Sequence, residues 1–161
     1  MGTERFAFCR RPPRRVALTV ESTLPDGATV LVDTKPIIYV LEGNALAKKF
    51  EPIFNEIDSG RLQAIVTPIT LAEVMTGPLR TGNEALAERY RNVLTHAAGW
   101  TLREIDGEIS VLAARLRVQH KLKLPDAFQL AVALHDNCHA LVTHDRDFSK
   151  VASLLRVWLG D

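Results

Sequence analysis

Thr29-Val30-Leu31-Val32-Asp33-Thr34-Lys35-Pro36-Ile37-Ile38-Tyr39 passes from an apolar, β-branched run, through a single aspartate, into a segment with helix-start chemistry. The run has no polar alternation and reads as a fully buried strand. Pro36 suits the first turn of a helix, Ile37, Ile38, Val40 and Leu41 supply its apolar face, and Gly43 marks its end. A carboxylate therefore stands at the joint between a buried strand and the helix that follows it.

The same pattern recurs along the chain. A helix over 45–59 is spaced by Leu46, Phe50, Ile53, Phe54 and Ile57 and stops at Gly60. Residues 63–67 form a second strand, followed by a short helix over 70–76 that Gly77-Pro78 should break. A long helix over 83–96 presents Leu86, Tyr90, Val93 and Leu94, and a weak strand covers 100–103. Helices over 106–120 and 126–136, a strand over 140–143 and a last strand over 156–159 complete the chain. Strands separated by helices require crossover connections. The expected fold class is α/β, a mostly parallel central sheet flanked by helices.

Composition agrees with a globular protein. The chain has 161 residues, 47% hydrophobic and 24% charged, which excludes wholesale disorder and fits a single core. No apolar run approaches the ~20 residues of a membrane span. Cys9 and Cys138 are too few for a disulfide scaffold and fit a reducing, cytoplasmic setting. The first 28 residues carry five arginines against three acids and include Arg10-Arg11-Pro12-Pro13-Arg14-Arg15. Residues 1–28 read as a basic, solvated extension, with an RNA-binding tail as the alternative, and residues 29–161 as the folded domain. Val16 to Val20 is too short for a secretion signal. The formal charge of +1 excludes a strongly basic nucleic-acid coat, so a nucleic-acid function would need local patches or metal ions.

Three acids sit just beyond strands, and a fourth opens a helix. Asp33 ends the first strand, Glu73 lies about one turn past the second, Asp126 opens an apolar helix, and Asp145 follows Leu141-Val142-Thr143-His144. In a parallel sheet the C-terminal strand ends share one edge, where ligands bind. Carboxylates crowded there repel unless a cation neutralises them, and oxygen-only ligands select Mg²⁺ or Mn²⁺. Each acid also has a purely structural reading. Asp33 and Asp126 could cap helices, Thr70-Leu71-Ala72-Glu73 matches a capping box, and Asp145 could be a turn residue.

The motifs in order resemble those of PIN domains. Val30-Leu31-Val32-Asp33-Thr34 resembles the opening motif, Thr67-Pro68-Ile69-Thr70-Leu71-Ala72-Glu73-Val74 the second, Leu124-Pro125-Asp126-Ala127-Phe128 the third, and Leu141-Val142-Thr143-His144-Asp145-Arg146-Asp147-Phe148 the fourth. The chain most resembles VapC-type toxins, the ribonuclease half of toxin–antitoxin pairs. The resemblance implies a three-layer PIN-like sandwich and Mg²⁺- or Mn²⁺-dependent RNA cleavage. Asp33, Glu73, Asp126 and Asp145 would be the acidic cluster and Asp147 a fifth carboxylate, with Thr143 and Thr34 orienting it. It further implies a homodimer, with helices near 36–59 as candidate surfaces, and an antitoxin partner. Lys35 and His144 depart from the pattern, standing where the family often has Asn. Two other readings share these residues: an RNA-processing PIN nuclease without an antitoxin, and a non-catalytic module that keeps the fold.

Competing sites are weaker. His135 and His139 are four apart with Cys138 between them, but the helix should end at Asp136-Asn137 and no fourth zinc ligand lies nearby. Neither Gly43-Asn44 nor Gly77-Pro78 fits a nucleotide-binding loop. His96 and His120 read as cations at helix C-terminal ends, and Trp100 and Trp158 as core residues rather than base-stacking platforms.

Overall fold

The computed structural model describes residues 24–161; the Arg-rich cluster and Cys9 lie outside the described residues. Five strands are present: β1 (Thr29–Val32), β2 (Gln63–Val66), β3 (Trp100–Leu102), β4 (Ala140–Val142) and β5 (Val157–Trp158). They form one sheet in the order β3-β2-β1-β4-β5, and every pairing is parallel. Helices α1 (Thr34–Glu42) and α2 (Ala47–Asp58) link β1 to β2, and α3 (Pro68–Arg80) and α4 (Glu84–His96) link β2 to β3. Helices α5 (Gly107–His120) and α6 (Leu124–His135) link β3 to β4, and a 3-10 turn, Arg146–Val151, precedes β5.

The alternation of side chains along the strands divides the core in two. Val30 and Val32 of β1 face a layer built from α1 to α4, where Val40, Phe50, Ile53, Phe54, Ile57, Val74, Tyr90 and Leu94 are buried. Leu31, Ile65 and Leu141 face the opposite way, onto Ile109, Ala113 and Leu116 of α5 and Leu130 and Ala131 of α6. The result is a three-layer α/β/α sandwich. The chain runs outward from β1 to β3 on one side, then returns to place β4 on β1's other flank. The β1/β4 boundary is therefore the topological switch point, where parallel sheets open a crevice beyond their C-terminal ends.

Three boundaries differ from those read in the sequence. Helix α3 begins at Pro68, capped by the Thr67 hydroxyl, which accepts from the Thr70 amide at 3.3 Å, and it runs through Gly77-Pro78 to Arg80. Pro78 lies near the end of α3, so its missing amide forgoes one bond, to the Val74 carbonyl, with little helix beyond it to disturb, and it is buried. Its carbonyl accepts from the amides of Thr81 and Asn83 at 3.1 and 2.9 Å, which ties off the helix end. Helix α6 begins at Leu124 rather than 126, with Pro125 in its first turn. Leu24 and Ala28, read with the extension, are buried against the domain. Arg61 holds that segment by donating to the Leu24 carbonyl at 2.8 Å and the Asp26 carboxylate at 3.4 Å. Helix α1, by contrast, ends where expected: Gly43 takes φ 65°, and its amide turns back onto Tyr39 and Val40.

Candidate active site

Asp33 emerges from β1 at the switch point. Its amide still pairs with the Val142 carbonyl at 2.9 Å, so the β1/β4 ladder extends one residue beyond the strand and brings Thr143 alongside. The Asp33 side chain caps α1, one oxygen accepting from the Thr34 amide at 2.8 Å and the other from the Thr143 hydroxyl at 2.7 Å. Burial pushes its carboxyl above the usual carboxylate range, partly offset by these two hydrogen bonds and reinforced by the charges of Glu73 and Asp145.

The neighbouring acids are held by short links. The Thr34 hydroxyl donates to Glu73 of α3. Glu73 lies in the second turn because α3 starts at Pro68, so the capping-box duty that Thr70-Leu71-Ala72-Glu73 suggested falls to Thr67 instead. The Thr143 hydroxyl that donates to Asp33 also accepts from the Asp145 amide at 3.0 Å. One Asp145 oxygen accepts from the Asp147 amide at 2.9 Å, and the other lies 3.8 Å from the Lys35 ammonium. The turn and cap readings of Asp145 and Asp33 are thus realised together with their clustering. Asp126 stands in the first turn of α6 rather than at its cap. Burial pushes its carboxyl up to about 6, with Asp33, Asp145 and Asp147 adding repulsion. Asp147 is half-exposed and pairs with Lys150 at 3.1 Å, which holds it below the usual range.

The structure thus gathers Asp33, Glu73, Asp126, Asp145 and Asp147 at one sheet edge, close enough to act on each other's charge. The donor set is all oxygen, which suits a hard divalent cation. The carboxylates do not converge as they are posed, however. Among the described residues no group of three or more His, Cys, Asp or Glu side chains is arranged to hold a metal ion. The hydrogen bonds explain this: Asp33, Glu73 and Asp145 are each turned toward a threonine, a backbone amide or Lys35.

Two supporting features were missed in the sequence. Gln129, one turn beyond Asp126, is buried and spans from α6 to α3, donating to the Thr70 hydroxyl at 2.7 Å and accepting from Thr67 at 3.1 Å. Its signal was a lone polar residue inside the apolar run Ala127 to Ala133. His144 is the other. Its Nδ1 lies 2.9 Å from the Tyr39 hydroxyl, and its ring packs edge-on against Tyr39 and Phe50. Nothing local marks that contact, which joins residues 105 apart. The zinc-like trio goes three ways: His135 to Asp136, His139 to the Thr29 amide, and Cys138 into the core, where burial pushes its thiol up to about 12. Trp100 and Trp158 are buried against Phe54 and Phe50.

Comparison with known proteins follows the same lines. The chain is similar to a solved toxin–antitoxin complex from Klebsiella pneumoniae, at 27% identity and TM-score 0.64, covering 82% of this chain and 98% of that one. It has the same fold as VapC20 of Mycobacterium tuberculosis, described as a sarcin-ricin-loop-cleaving toxin, at 18% identity, TM-score 0.65 and coverage of 80% and 98%. The same holds for VapBC-1 from nontypeable Haemophilus influenzae, at 20% identity, TM-score 0.63 and coverage of 82% and 98%. No curated protein matches in sequence. The PIN-domain family model matches residues 30–154, a span that takes in all five gathered acids and every strand but the last, and the chain belongs to the PIN-domain family.

Proposed function

We propose that this chain is a metal-dependent endoribonuclease and the toxin of a toxin–antitoxin pair. The observation that carries the reading is the meeting of Asp33, Glu73, Asp126 and Asp145, from four separate elements, at the switch point of a parallel sheet. Among the described residues no buried cation relieves their mutual repulsion, and Asp33 and Asp126 are both driven toward holding protons. Such a site favours a divalent cation.

Asp33, Glu73, Asp126 and Asp145 would hold Mg²⁺ or Mn²⁺, with Asp147 at the rim. When bound, the metal supplies charge neutralisation at the phosphate and a water of lowered pKa. The chain's own contribution is orientation. Thr143 fixes one Asp33 oxygen while also holding the Asp145 amide, so a single hydroxyl couples the acids of β1 and β4. Thr34 fixes Glu73 in the same way. Gln129 ties α6 to α3 behind them, which sets Asp126 relative to Glu73. Hydrolysis of an RNA phosphodiester in this arrangement requires no Ser, Cys or His nucleophile.

Similarity to chains solved as toxin–antitoxin complexes supports an antitoxin partner. Such a partner would cover the acidic crevice and present an Arg or Lys to it. A homodimer is part of the same reading, with the α1/α2 groove lined by Val40, Ala47 and Phe54 as a candidate surface. None of the described helices is long and apolar enough to cross a membrane, and cytoplasmic action is proposed. Induced expression tests the reading. The wild-type chain should slow growth, Asp126→Asn should not, and co-expression of the adjacent gene should restore growth. Harmless wild-type expression, alongside RNA cleavage by the purified protein, would instead favour a housekeeping nuclease.

A further inference from the structure

An acidic centre poses a problem for a polyanionic substrate. Residues 24–161 hold 15 Lys and Arg against 17 Asp and Glu, so no overall positive field draws RNA toward the crevice. The lysines are unevenly placed, however: three of the chain's six stand at the acidic edge. Lys35 lies in the first turn of α1, two residues past Asp33, with its ammonium 3.8 Å from Asp145 and its side chain 53% exposed. Lys150, on the 3-10 turn, lies 3.1 Å from Asp147 and is 52% exposed. Lys123 is the residue that precedes α6, three before Asp126, and is exposed.

Two of these positions are unfavourable for the helices that carry them. Lys35 and Lys123 put positive charge at helix N-termini, where the macrodipole favours the opposite sign. Lys123 also makes no side-chain cap, at a position where Ser, Thr, Asp or Asn is favoured. Local helix stability therefore does not explain them. Lys35 and Lys150 are linked through the two acids, since Asp145, beside Lys35, accepts from the amide of Asp147, which pairs with Lys150, and Asp147 also lies in the field of Lys123. Lys35 and Lys150 keep about half of their side chains in solvent while paired, and each ammonium has three donors to offer.

We propose that Lys35, Lys123 and Lys150 form a cationic rim that grips the phosphates of a single-stranded RNA around the acidic centre. This rests on the nuclease reading above. The rim holds backbone and not bases, so it supplies affinity and placement without sequence choice. Each lysine that meets a phosphate releases counterions, and the salt dependence of binding counts those contacts.

The test is fluorescence anisotropy of a fluorescein-labelled single-stranded RNA with the full chain, in EDTA to prevent cleavage, across a series of NaCl concentrations. Each of Lys35→Ala, Lys123→Ala and Lys150→Ala should flatten the slope of log K against log salt by ~0.7, and the triple variant by ~2. Lys48→Ala, on α2, should leave it unchanged. The Arg10–Arg15 region is present in every variant and cancels in the comparison. A wild-type slope in the triple variant, an equal loss in Lys48→Ala, or no RNA binding by the wild type in EDTA would each overturn the rim. Equally tight, lysine-dependent binding of a polyglutamate peptide would overturn the assignment to phosphate. RNA cleavage in Mg²⁺, measured separately, keeps the two claims apart. Cleavage with unchanged slopes sinks the rim alone, whereas lysine-dependent binding without cleavage sinks the nuclease reading and leaves the rim standing.

Discussion

Replacing Asp126 with Asn should stabilise the metal-free protein at neutral pH. The Asp126 carboxyl is pushed from 3.8 up to about 6, first by burial and then by Asp33, Asp145 and Asp147. Its folded pKa is raised, so its favourable contribution is complete below about 3.8 and is lost as the pH climbs through 6. The difference of about 2 pH units sets an upper limit of ~3 kcal/mol. Asp126 is only half-buried, and screening by solvent reduces the expectation to ~1 kcal/mol. Asn removes the charge with almost no change of shape. Urea unfolding in EDTA should therefore show Asp126→Asn more stable than wild type by ~1 kcal/mol at about pH 7.5, with most of the gain gone by about pH 4. Asp147→Asn is the contrast: that carboxylate is half-exposed and paired with Lys150, so its removal should gain nothing. No gain at pH 7.5, or a gain that persists undiminished at pH 4, would refute the claim that crowded charge burdens this site.

Gln129→Leu should cost ~1–2 kcal/mol in urea unfolding, because the buried Thr67 hydroxyl loses its acceptor and the Thr70 hydroxyl its donor, leaving only their mutual 3.4 Å contact and the cap on the Thr70 amide; a cost under ~0.5 kcal/mol would show the bridge to be idle. If Thr143 aims Asp33 through its hydroxyl, Thr143→Ser should keep most RNA cleavage and Thr143→Val should lose it; equal rates would remove Thr143 from the site. Sedimentation velocity should show a concentration-dependent dimer that Asn55→Glu, at an exposed position on the same groove, weakens. A monomer at all concentrations would contradict that surface.

Much of the fold was legible because the strands are short, apolar and bounded by turn residues. Thr29 to Val32 and Ala140 to Val142 can be buried on both faces only inside a layered α/β structure. The positions of Asp33 and Asp145 were legible for the same reason, since strand ends in a parallel sheet share an edge. What could not be read were consequences of distant packing. Gly77-Pro78 has the chemistry of a breaker, yet its place near the end of α3, packed on α4, lets the helix continue past it. Lys123 rather than Asp126 precedes α6, because Leu124 and Pro125 already adopt helical geometry. The Thr143–Asp33 and Tyr39–His144 contacts join residues 110 and 105 apart, and no local pattern announces them.

The proposed activity is RNA cleavage by the acids at the β1/β4 switch point with a divalent cation. Its most direct test is incubation of purified protein with a labelled RNA in Mg²⁺ or in excess EDTA, for wild type and for Asp33→Asn, with circular dichroism confirming the fold of the variant. The wild type should cleave internally in Mg²⁺, leaving 5′-phosphate and 3′-hydroxyl ends, and not in EDTA, and Asp33→Asn should lose at least ~100-fold. Cleavage that survives EDTA, or that a folded Asp33→Asn performs at the wild-type rate, would contradict it.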